Sequence, residues 1–285
     1  MRPRSGPTVE HRVVAARLRM LRVRAGVGLQ AAASALGAHP ATVRRIERAE
    51  TGLDSGQVRV LLECYGVSAG EAEPIMAGLT AANLPGWWHR WRDVMEPWQQ
   101  EVIGIESSAG LVRTWHPALV PELLRTPAYE AALSRTLMPA ESSARRDLRV
   151  ELLGERQRRL AERGAALWAL FPAAALHTRV GGAAVMARQR ALLEDAAHQR
   201  GLTVQVTPLD APPHPLTGVP PLRLLRVSAP EIGDRVVLET PGSRVDILDD
   251  AAGVTEYRIR LDDACSAAPP PGASPPGAPA AASNA

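Results

Sequence analysis

The stretch from Leu29 to Glu50 constrains the fold of this 285-residue chain more than any other part of it. Its apolar spacing predicts a short helix from about Leu29 to Leu36, which ends at Gly37 because glycine can adopt the positive φ of a helix exit. A second helix is predicted from Pro40 to Arg48. Two short helices joined by a tight turn indicate a helix-turn-helix motif.

The second helix has a clear start and two different faces. His39 is predicted as its N-cap, and Pro40 takes the first helical position, where the missing N–H costs nothing. Val43 and Ile46 fall one turn apart and face inward. The residues left on the outer face are Ala41, Thr42, Arg44, Arg45 and Arg48. Such a face suits the major groove of DNA, which accommodates a helix and where arginine can bond guanine in a bidentate manner.

Arginine on a helix usually marks a solvated face, but the distribution of charge favours DNA binding here. Residues 1–50 contain ten arginines and three acids, a balance of +7, whereas the whole chain is +3 and the remaining 235 residues therefore sum to −4. A positive excess concentrated in one small region is typical of phosphate binding. This asymmetry supports the DNA-binding interpretation of the outer face.

The neighbouring sequence completes a predicted five-helix domain over residues 11–82, after a flexible arm at residues 1–10. A first amphipathic helix is predicted from His11 to Ala25, and a fourth helix over Val58 to Tyr65. Ser68 and Glu71 form the S-x-x-E capping box that opens the fifth helix. Five short helices are enough for a compact domain with its own core.

Residues shared with a known family run through this region: Leu18, Leu21, Arg22, Gly26, Ala33, Leu36, Gly37, Thr42, Val43, Arg45, Ile46, Glu47, Val58, Leu61 and Tyr65 to Ser68. On these residues the chain resembles helix-turn-helix proteins of the Cro and lambda-repressor type, the XRE family. The resemblance implies a lambda-repressor-like fold and binding of double-stranded operator DNA. We expect a homodimer on a near-palindromic operator, with half-sites about one helical turn apart.

The expected DNA contacts can be assigned residue by residue. Arg44 and Arg45 are predicted to contact bases from the helix that Pro40 begins. Glu47 is predicted to pair with an arginine of the same domain, since a carboxylate facing phosphate would be repelled. The other assignments are Ala41 and Thr42 for a thymine methyl group, and Arg48, Arg22 and the amides at Leu29 and Gln30 for phosphates.

A tryptophan-rich segment follows at residues 83–100, where Trp87, Trp88, Trp91 and Trp98 lie within twelve residues. Stacking of these rings on bases would need unpaired strands, which a reader of duplex DNA does not meet. The preferred interpretation is a connecting segment whose rings dock the DNA-binding domain onto the next part of the chain, because each ring buries a large apolar area.

A second domain is predicted over residues 101–263, so that the chain is mainly α and multidomain, with an α+β C-terminal domain. Its first half is predicted helical and includes an arginine-rich helix within residues 144–164. The second half is predicted to form a small, mostly antiparallel sheet, with a helix from Ala183 to Gln199. The predicted strands are Ala166 to Phe171, Leu202 to Thr207, Leu222 to Val227, Arg235 to Glu239 and, at an edge, Val245 to Leu248. Residues 264–285, rich in Pro and Ala, are predicted to be a disordered tail.

Residues of the second domain are shared with another family: Glu106, Trp115, His116, Pro117, the string from Leu119 to Tyr129, Arg149, Arg156, Val180 to Gly182, Val204 to Val206, Pro208, His214, Pro215 and Glu239. From about residue 106 to 261 the chain resembles the C-terminal domain of WhiJ-like transcriptional regulators of actinobacteria. The resemblance implies an antitoxin-like arrangement with a small protein encoded by an adjacent gene. The candidate residues for binding this partner or a ligand are Glu106, Trp115, Arg125, Tyr129, His214 and Glu239.

Several function classes are not expected. The sequence has no apolar run near 18 residues, so we expect a cytoplasmic, nucleoid-associated protein without membrane contact. Cys64 and Cys265 lie far apart without a C-x-x-C motif, which predicts reduced thiols and no metal site. His116, His177 and His214 lack the spacing of a metal site or a nucleophile-base pair, so neither enzymatic activity nor a cofactor is expected.

One alternative comes from a different class of protein. Gly28 and Leu29 stand where the XRE family usually has a polar N-cap and a glutamine that contacts phosphate. The chain could therefore be an antitoxin-like interaction module that sequesters a partner and binds little DNA. Because binding to DNA releases counterions, the dependence of affinity on salt separates the two possibilities.

Overall fold

The computed structural model describes residues 8–227, 229, 231–240 and 244–272. The chain divides into two units. Unit 1 consists of Met1–Ser108 with Val227–Gly233, and unit 2 consists of Ala109–Arg226 with Asp234–Ala285. The described residues are mainly helical, as predicted, and the strands that they contain belong to one sheet in unit 2.

Unit 1 begins with the five helices that the sequence predicts: α1 (Val9–Arg24), α2 (Leu29–Ala35), α3 (Pro40–Glu47), α4 (Ser55–Cys64) and α5 (Ala69–Asn83). The predicted N-cap Ser68 accepts a hydrogen bond from the amide of Glu71, which confirms the start of α5. Leu18, Val43 and Leu61 are fully buried at the centre of the core. The helix-turn-helix pair α2 and α3 is therefore held by the same apolar cluster as α1, α4 and α5.

The tryptophan-rich segment and the helix after it also lie in unit 1, where they form a 3-10 helix (Trp87–Val94) and α6 (Pro97–Glu106). Trp88 and Trp91 are buried, and the Nε1 of Trp87 donates to the Oγ of Ser107 at 2.8 Å. A side chain at Gly86 would place its Cβ 2.3 Å from the ring of Trp88. The segment is thus packed within unit 1, which extends to Ser108, beyond the boundary at residue 100 that the sequence suggested.

Unit 2 alternates strands and helices over its first half: β1 (Ala109–Trp115), a 3-10 turn (Glu122–Leu124), α7 (Pro127–Leu137), α8 (Ser143–Glu162), β2 (Ala166–Pro172), α9 (Ala174–His177), α10 (Ala183–Ala197) and β3 (Leu202–Thr207). Three strands and a long helix follow: β4 (Leu222–Val227), β5 (Arg235–Thr240), β6 (Arg244–Leu248) and α11 (Ala251–Ala267). All five predicted strands are present, and β6 lies at an edge as predicted.

The sheet has the order β3-β2-β1-β4-β5-β6 and is mixed rather than mostly antiparallel. β1 pairs parallel with β2, and β2 parallel with β3, whereas β4 with β5 and β5 with β6 are antiparallel. The reason is the length of the connections, since parallel neighbours need a crossover and antiparallel neighbours can be joined by a short turn. Helices α7 to α10 supply these crossovers. The sequence prediction did not assign them as connections between parallel strands.

The prediction missed both the first strand and the last helix of unit 2. β1 lies in a region that was predicted to be helical. The strand was missed because Arg113 interrupts its apolar pattern. α11 extends to Ala267 and its Ala264 and Cys265 are buried, so the tail predicted from residue 264 starts too early. α11 packs on the face of the sheet that carries Trp115, and the rest of the predicted tail, residues 273–285, lies outside the described residues.

Candidate nucleic-acid interface

The start of α3 is as the sequence predicts. The Nδ1 of His39 accepts a hydrogen bond from the amide of Ala41 at 3.2 Å, and Pro40 occupies the first turn. Val43 and Ile46 are buried in the core of unit 1. The cap and the proline fix where the eight-residue helix begins, and the two buried residues fix which side of it faces solvent.

The end of α3 is a Schellman turn with an unusual residue in it. The amide of Glu50 donates to the carbonyl of Arg45 at 2.9 Å, and the amide of Ala49 donates to the carbonyl of Ile46 at 3.1 Å. Ala49 has φ 57° and is the one non-glycine residue with positive φ in the described part of the chain. Its Cβ makes this conformation cost about 1 kcal/mol, whereas Gly37 takes the same position after α2 without that cost.

A buried ion pair holds α3 against two other helices. The Nε and NH2 of Arg22 on α1 donate to the two carboxylate oxygens of Glu47 at 2.7 and 3.0 Å. The hydroxyl of Tyr65, which follows α4, donates to Glu47 at 3.3 Å. The hydrogen bond to Glu47 raises the pKa of Arg22, and burial together with Glu47 raises the pKa of Tyr65. The prediction that Glu47 pairs with an arginine of its own domain is confirmed.

The same geometry corrects the role assigned to Arg22. Its third guanidinium nitrogen, NH1, donates to the carbonyl of Val27 at 3.0 Å, so all three nitrogens donate within unit 1. Only 13% of the side chain is exposed. Arg22 is therefore the internal partner of Glu47, and its predicted contact with phosphate is replaced by this structural role.

The outer face of α3 is open and positively charged. Arg44 and Arg45 are exposed, and their side chains make no hydrogen bond or ion pair to any residue that the structure describes. Arg48 is 61% exposed and lies 3.9 Å from the half-exposed carboxylate of Glu50, a pair too solvated to hold it. Ala41 is exposed as well, while Pro40 and Thr42 are half-buried at the first turn.

The start of α2 carries the other predicted phosphate contacts. Gly28 is its N-cap and supplies no side-chain hydrogen bond to the first turn. Leu29 is half-buried against the core of unit 1, and Gln30 is exposed. The assignment of the Leu29 and Gln30 amides to phosphate stays a prediction.

The residues predicted to bind a partner or ligand are divided between the two units, five in unit 2 and one in unit 1. Trp115 at the end of β1 and His214 meet edge to face with ring centroids 5.0 Å apart. The Arg125 guanidinium lies 6.0 Å from the Tyr129 ring, and Glu239 binds Arg223. The sixth residue, Glu106, is buried at the end of α6 in unit 1.

Unit 2 contains a charged cluster that sequence reasoning missed. The Oε2 of Glu122 lies 2.8 Å from NH1 of Arg156 on α8 and 3.3 Å from NH1 of Arg223 on β4. Burial alone would raise the pKa of Glu122, but the charges of Arg156, Arg223 and Arg125 lower it to about 2. The available signal was an arginine inside the apolar strand around Arg223, which needs a buried partner.

His116, directly after β1, borders this cluster. Its Nδ1 accepts the amides of Ala118 and Leu119 at 3.2 and 2.9 Å. Burial, followed by the charge of Arg125, lowers the pKa of His116 to about 4. The ring is therefore neutral at pH 7, and the arrangement stabilises the turn after β1.

Two further observations concern metal ligands and membrane spans. No cluster of three or more histidine, cysteine or acidic residues that could hold a metal ion occurs among the residues described. Within the same residues, none of the helices is both long enough and apolar enough to span a membrane.

The fold of α1 to α5 and the exposed face of α3 define a helix-turn-helix domain in unit 1. A family model described as "Helix-turn-helix domain" matches residues 13–75, which include α1 to α4 almost completely and part of α5. This match indicates a DNA-binding regulator. A second model, "Domain of unknown function (DUF5753)", matches residues 99–275, more than half of the chain, and the chain belongs to that family. No curated protein and no solved structure matches this chain.

Proposed function

We propose that the protein is a sequence-specific transcriptional regulator that binds operator DNA through α3. The observation that carries the proposal is the outer face of this helix, where the exposed guanidinium groups of Arg44 and Arg45 have no partner within the described residues. A helix of this length fits the major groove, and arginine is the residue most suited to contact guanine there.

The support extends to how the helix is held. Glu47, the acid within α3, is buried and neutralised by Arg22, so it does not repel phosphate. Val43 and Ile46 fix the helix on the core from the same side. The arginines thus project from a rigid base, which limits the entropy lost when they bind DNA.

We further propose that two copies bind one operator in the cytoplasm, on the nucleoid, and that unit 2 controls them without catalysing a reaction. The support for a controlling role is that unit 2 has its own core around Leu170, Leu222 and Val236 and is a separate folded unit. In the WhiJ-like, antitoxin-like form of this proposal, a small protein encoded by an adjacent gene, or a ligand, binds unit 2 and changes operator affinity.

The test of DNA binding is a titration of the full chain against random-sequence and genomic duplexes at two salt concentrations. The logarithm of the affinity should fall with the logarithm of salt concentration with a slope of about 0.9 for each phosphate neutralised. Some genomic fragments should bind more tightly than random duplex. Absence of binding even in dilute buffer would reject the proposal.

A second candidate function is an antitoxin-like interaction module that sequesters a partner and binds little DNA. The observation that favours it is the start of α2, where Gly28 provides no side-chain cap. The salt titration separates the two candidates, because a module without DNA binding has no salt slope. Adding the purified product of the adjacent gene to the same titration then tests whether a partner changes the affinity.

A further inference from the structure

The outer face of α3 is rich in hydrogen-bond donors and lacks the side chains that bond adenine in a bidentate manner or accept from cytosine. Arg44, Arg45 and Arg48 carry only donors. The described face has no asparagine or glutamine, which pair with adenine, and no free carboxylate, which would accept from cytosine. Glu47 is 3% exposed and bound to Arg22, so it cannot take that role.

The N-cap residue His39 adds another donor, next to the first turn of α3. Its Nδ1 accepts the amide of Ala41 at 3.2 Å, which leaves Nε2 as the ring nitrogen that carries a hydrogen. The His39 ring is exposed. The cap of α3 therefore uses the only acceptor of the ring and leaves an N–H directed away from the helix amides.

The distribution of side-chain lengths along α3 matches the depth of the groove. The first turn carries Pro40, Ala41 and Thr42, which are short and allow the backbone to approach the bases. Arg44 and Arg45 stand three and four positions after Ala41, on the same face and one turn further on. Long donors thus reach past a short first turn, where a methyl group of Ala41 or Thr42 can contact thymine.

We infer that each operator half-site presents two guanines to α3, one bound by Arg44 and one by Arg45 through N7 and O6, beside a thymine next to Ala41 or Thr42. This inference rests on the proposed function. It follows because guanine is the base whose major-groove edge offers two acceptors, and the guanidinium group is the matching pair of donors.

The first test uses modified bases in the duplex that the full chain selects from a random pool. Each guanine is replaced in turn by 7-deazaguanine, which lacks the N7 acceptor, or by inosine, which keeps N7 and O6 and lacks only the minor-groove amino group. We expect 7-deazaguanine to weaken binding about tenfold at two positions per half-site. Inosine should leave the affinity within about twofold, as contacts in the major groove require.

The second test changes the protein. Arg45→Gln should move the preference at one position from guanine to adenine, because glutamine pairs with N6 and N7 of adenine. Arg44→Ala should lower affinity about 5- to 150-fold for the selected duplex and remove the effect of 7-deazaguanine at its own position. Arg188→Ala, an exposed arginine of α10 in unit 2, is the matched control and should leave the selected sequence unchanged.

The outcomes separate this inference from the proposed function. If no duplex binds in dilute buffer, the proposed function fails and the inference with it. If duplexes bind with a salt slope but the selected site lacks guanine, or 7-deazaguanine has no effect, only the inference is overturned. An unchanged selected sequence for Arg45→Gln, in a variant whose helical content matches the parent, would also overturn it.

Discussion

Unit 1 and unit 2 each pair a carboxylate with arginine, but they use charge in different ways. In unit 1 Glu47 is 3% exposed and takes up a single arginine, Arg22. Arg44 and Arg45 are left outside on the same helix without partners among the described residues. The buried pair therefore fixes the helix, and the remaining charge is available for a ligand.

In unit 2 the arginines, rather than the carboxylate, are the most deeply buried members of the cluster. Glu122 is 33% exposed, while its partners Arg156 and Arg223 are only 4% and 9% exposed. Here the arginines are inside and their charge is balanced by acids, including Glu239 next to Arg223. The difference teaches that a count of arginines does not by itself identify a binding surface, because burial decides whether an arginine holds the fold or meets a partner.

The largest expected effect is that of Glu47→Ala. It should lower the free energy of unfolding of unit 1 by about 4 kcal/mol, because Arg22 and the hydroxyl of Tyr65 would lose their buried acceptor. Hydrogen exchange of the α1 and α3 amides measures this locally, which a chain of two units requires. Glu50→Ala, which removes an exposed acid, should cost less than about 0.5 kcal/mol. Equal effects of the two variants would contradict the bracing role of Glu47.

The corresponding change in unit 2 is Glu122→Ala, with an expected loss of about 3 kcal/mol. The cost is somewhat smaller because Glu122 is partly exposed and Arg223 keeps Glu239 as a partner. Hydrogen exchange of the β1 and β2 amides should show this loss of stability, while the exchange of the unit 1 amides stays unchanged. Glu162→Ala, an exposed acid at the end of α8, is the control and should change little. A loss under about 1 kcal/mol would show that the cluster is not an internal ion pair.

A fall in pH should destabilise both units, because each contains a histidine whose pKa is lowered by burial. Burial and Arg125 lower the pKa of His116 from 6.5 to about 4, so its contribution to stability is present above pH 6.5 and is lost as the pH falls toward 4. Between pH 7 and pH 5 unit 2 should lose about 1 to 2 kcal/mol. Unit 1 should also lose stability as the pH falls, because burial lowers the pKa of His11.

The matched variant for the acid effect is His116→Asn, whose side-chain oxygen can still accept the amides of Ala118 and Leu119. It should remove the loss of unit 2 stability between pH 7 and pH 5 and leave the loss in unit 1, which amide exchange at a series of pH values would resolve. A loss in unit 2 that persists in this variant would assign the effect to another group.

The sequence predicted unit 1 well because its signals are local. The cap at His39, the proline at Pro40 and the spacing of Val43 and Ile46 all lie within eight residues, and each was confirmed. Arg22 was misassigned because its partner is 25 residues away and only the packing of α1 on α3 brings them together.

Unit 2 was predicted less completely because its polar pairs are distant in sequence. Arg113 interrupts the apolar pattern of β1, and its partner Asp262 lies 149 residues further along, on a helix that was not predicted. Glu122, Arg156 and Arg223 likewise come from a turn, a helix and a strand. A charge in an apolar strand signals that a partner exists, and it does not say where the partner lies.

The smallest expected effect concerns the exit of α3, where Ala49→Gly should raise the stability of unit 1 by about 0.5 kcal/mol. Glycine removes the cost of the positive φ, about 1 kcal/mol, and the loss of a buried methyl group offsets part of the gain. Gly37→Ala at the exit of α2 is the mirror-image control and should destabilise by about 1 kcal/mol. If Ala49→Gly instead destabilised unit 1, the packing of the buried Ala49 methyl group would contribute more to stability than the positive φ costs.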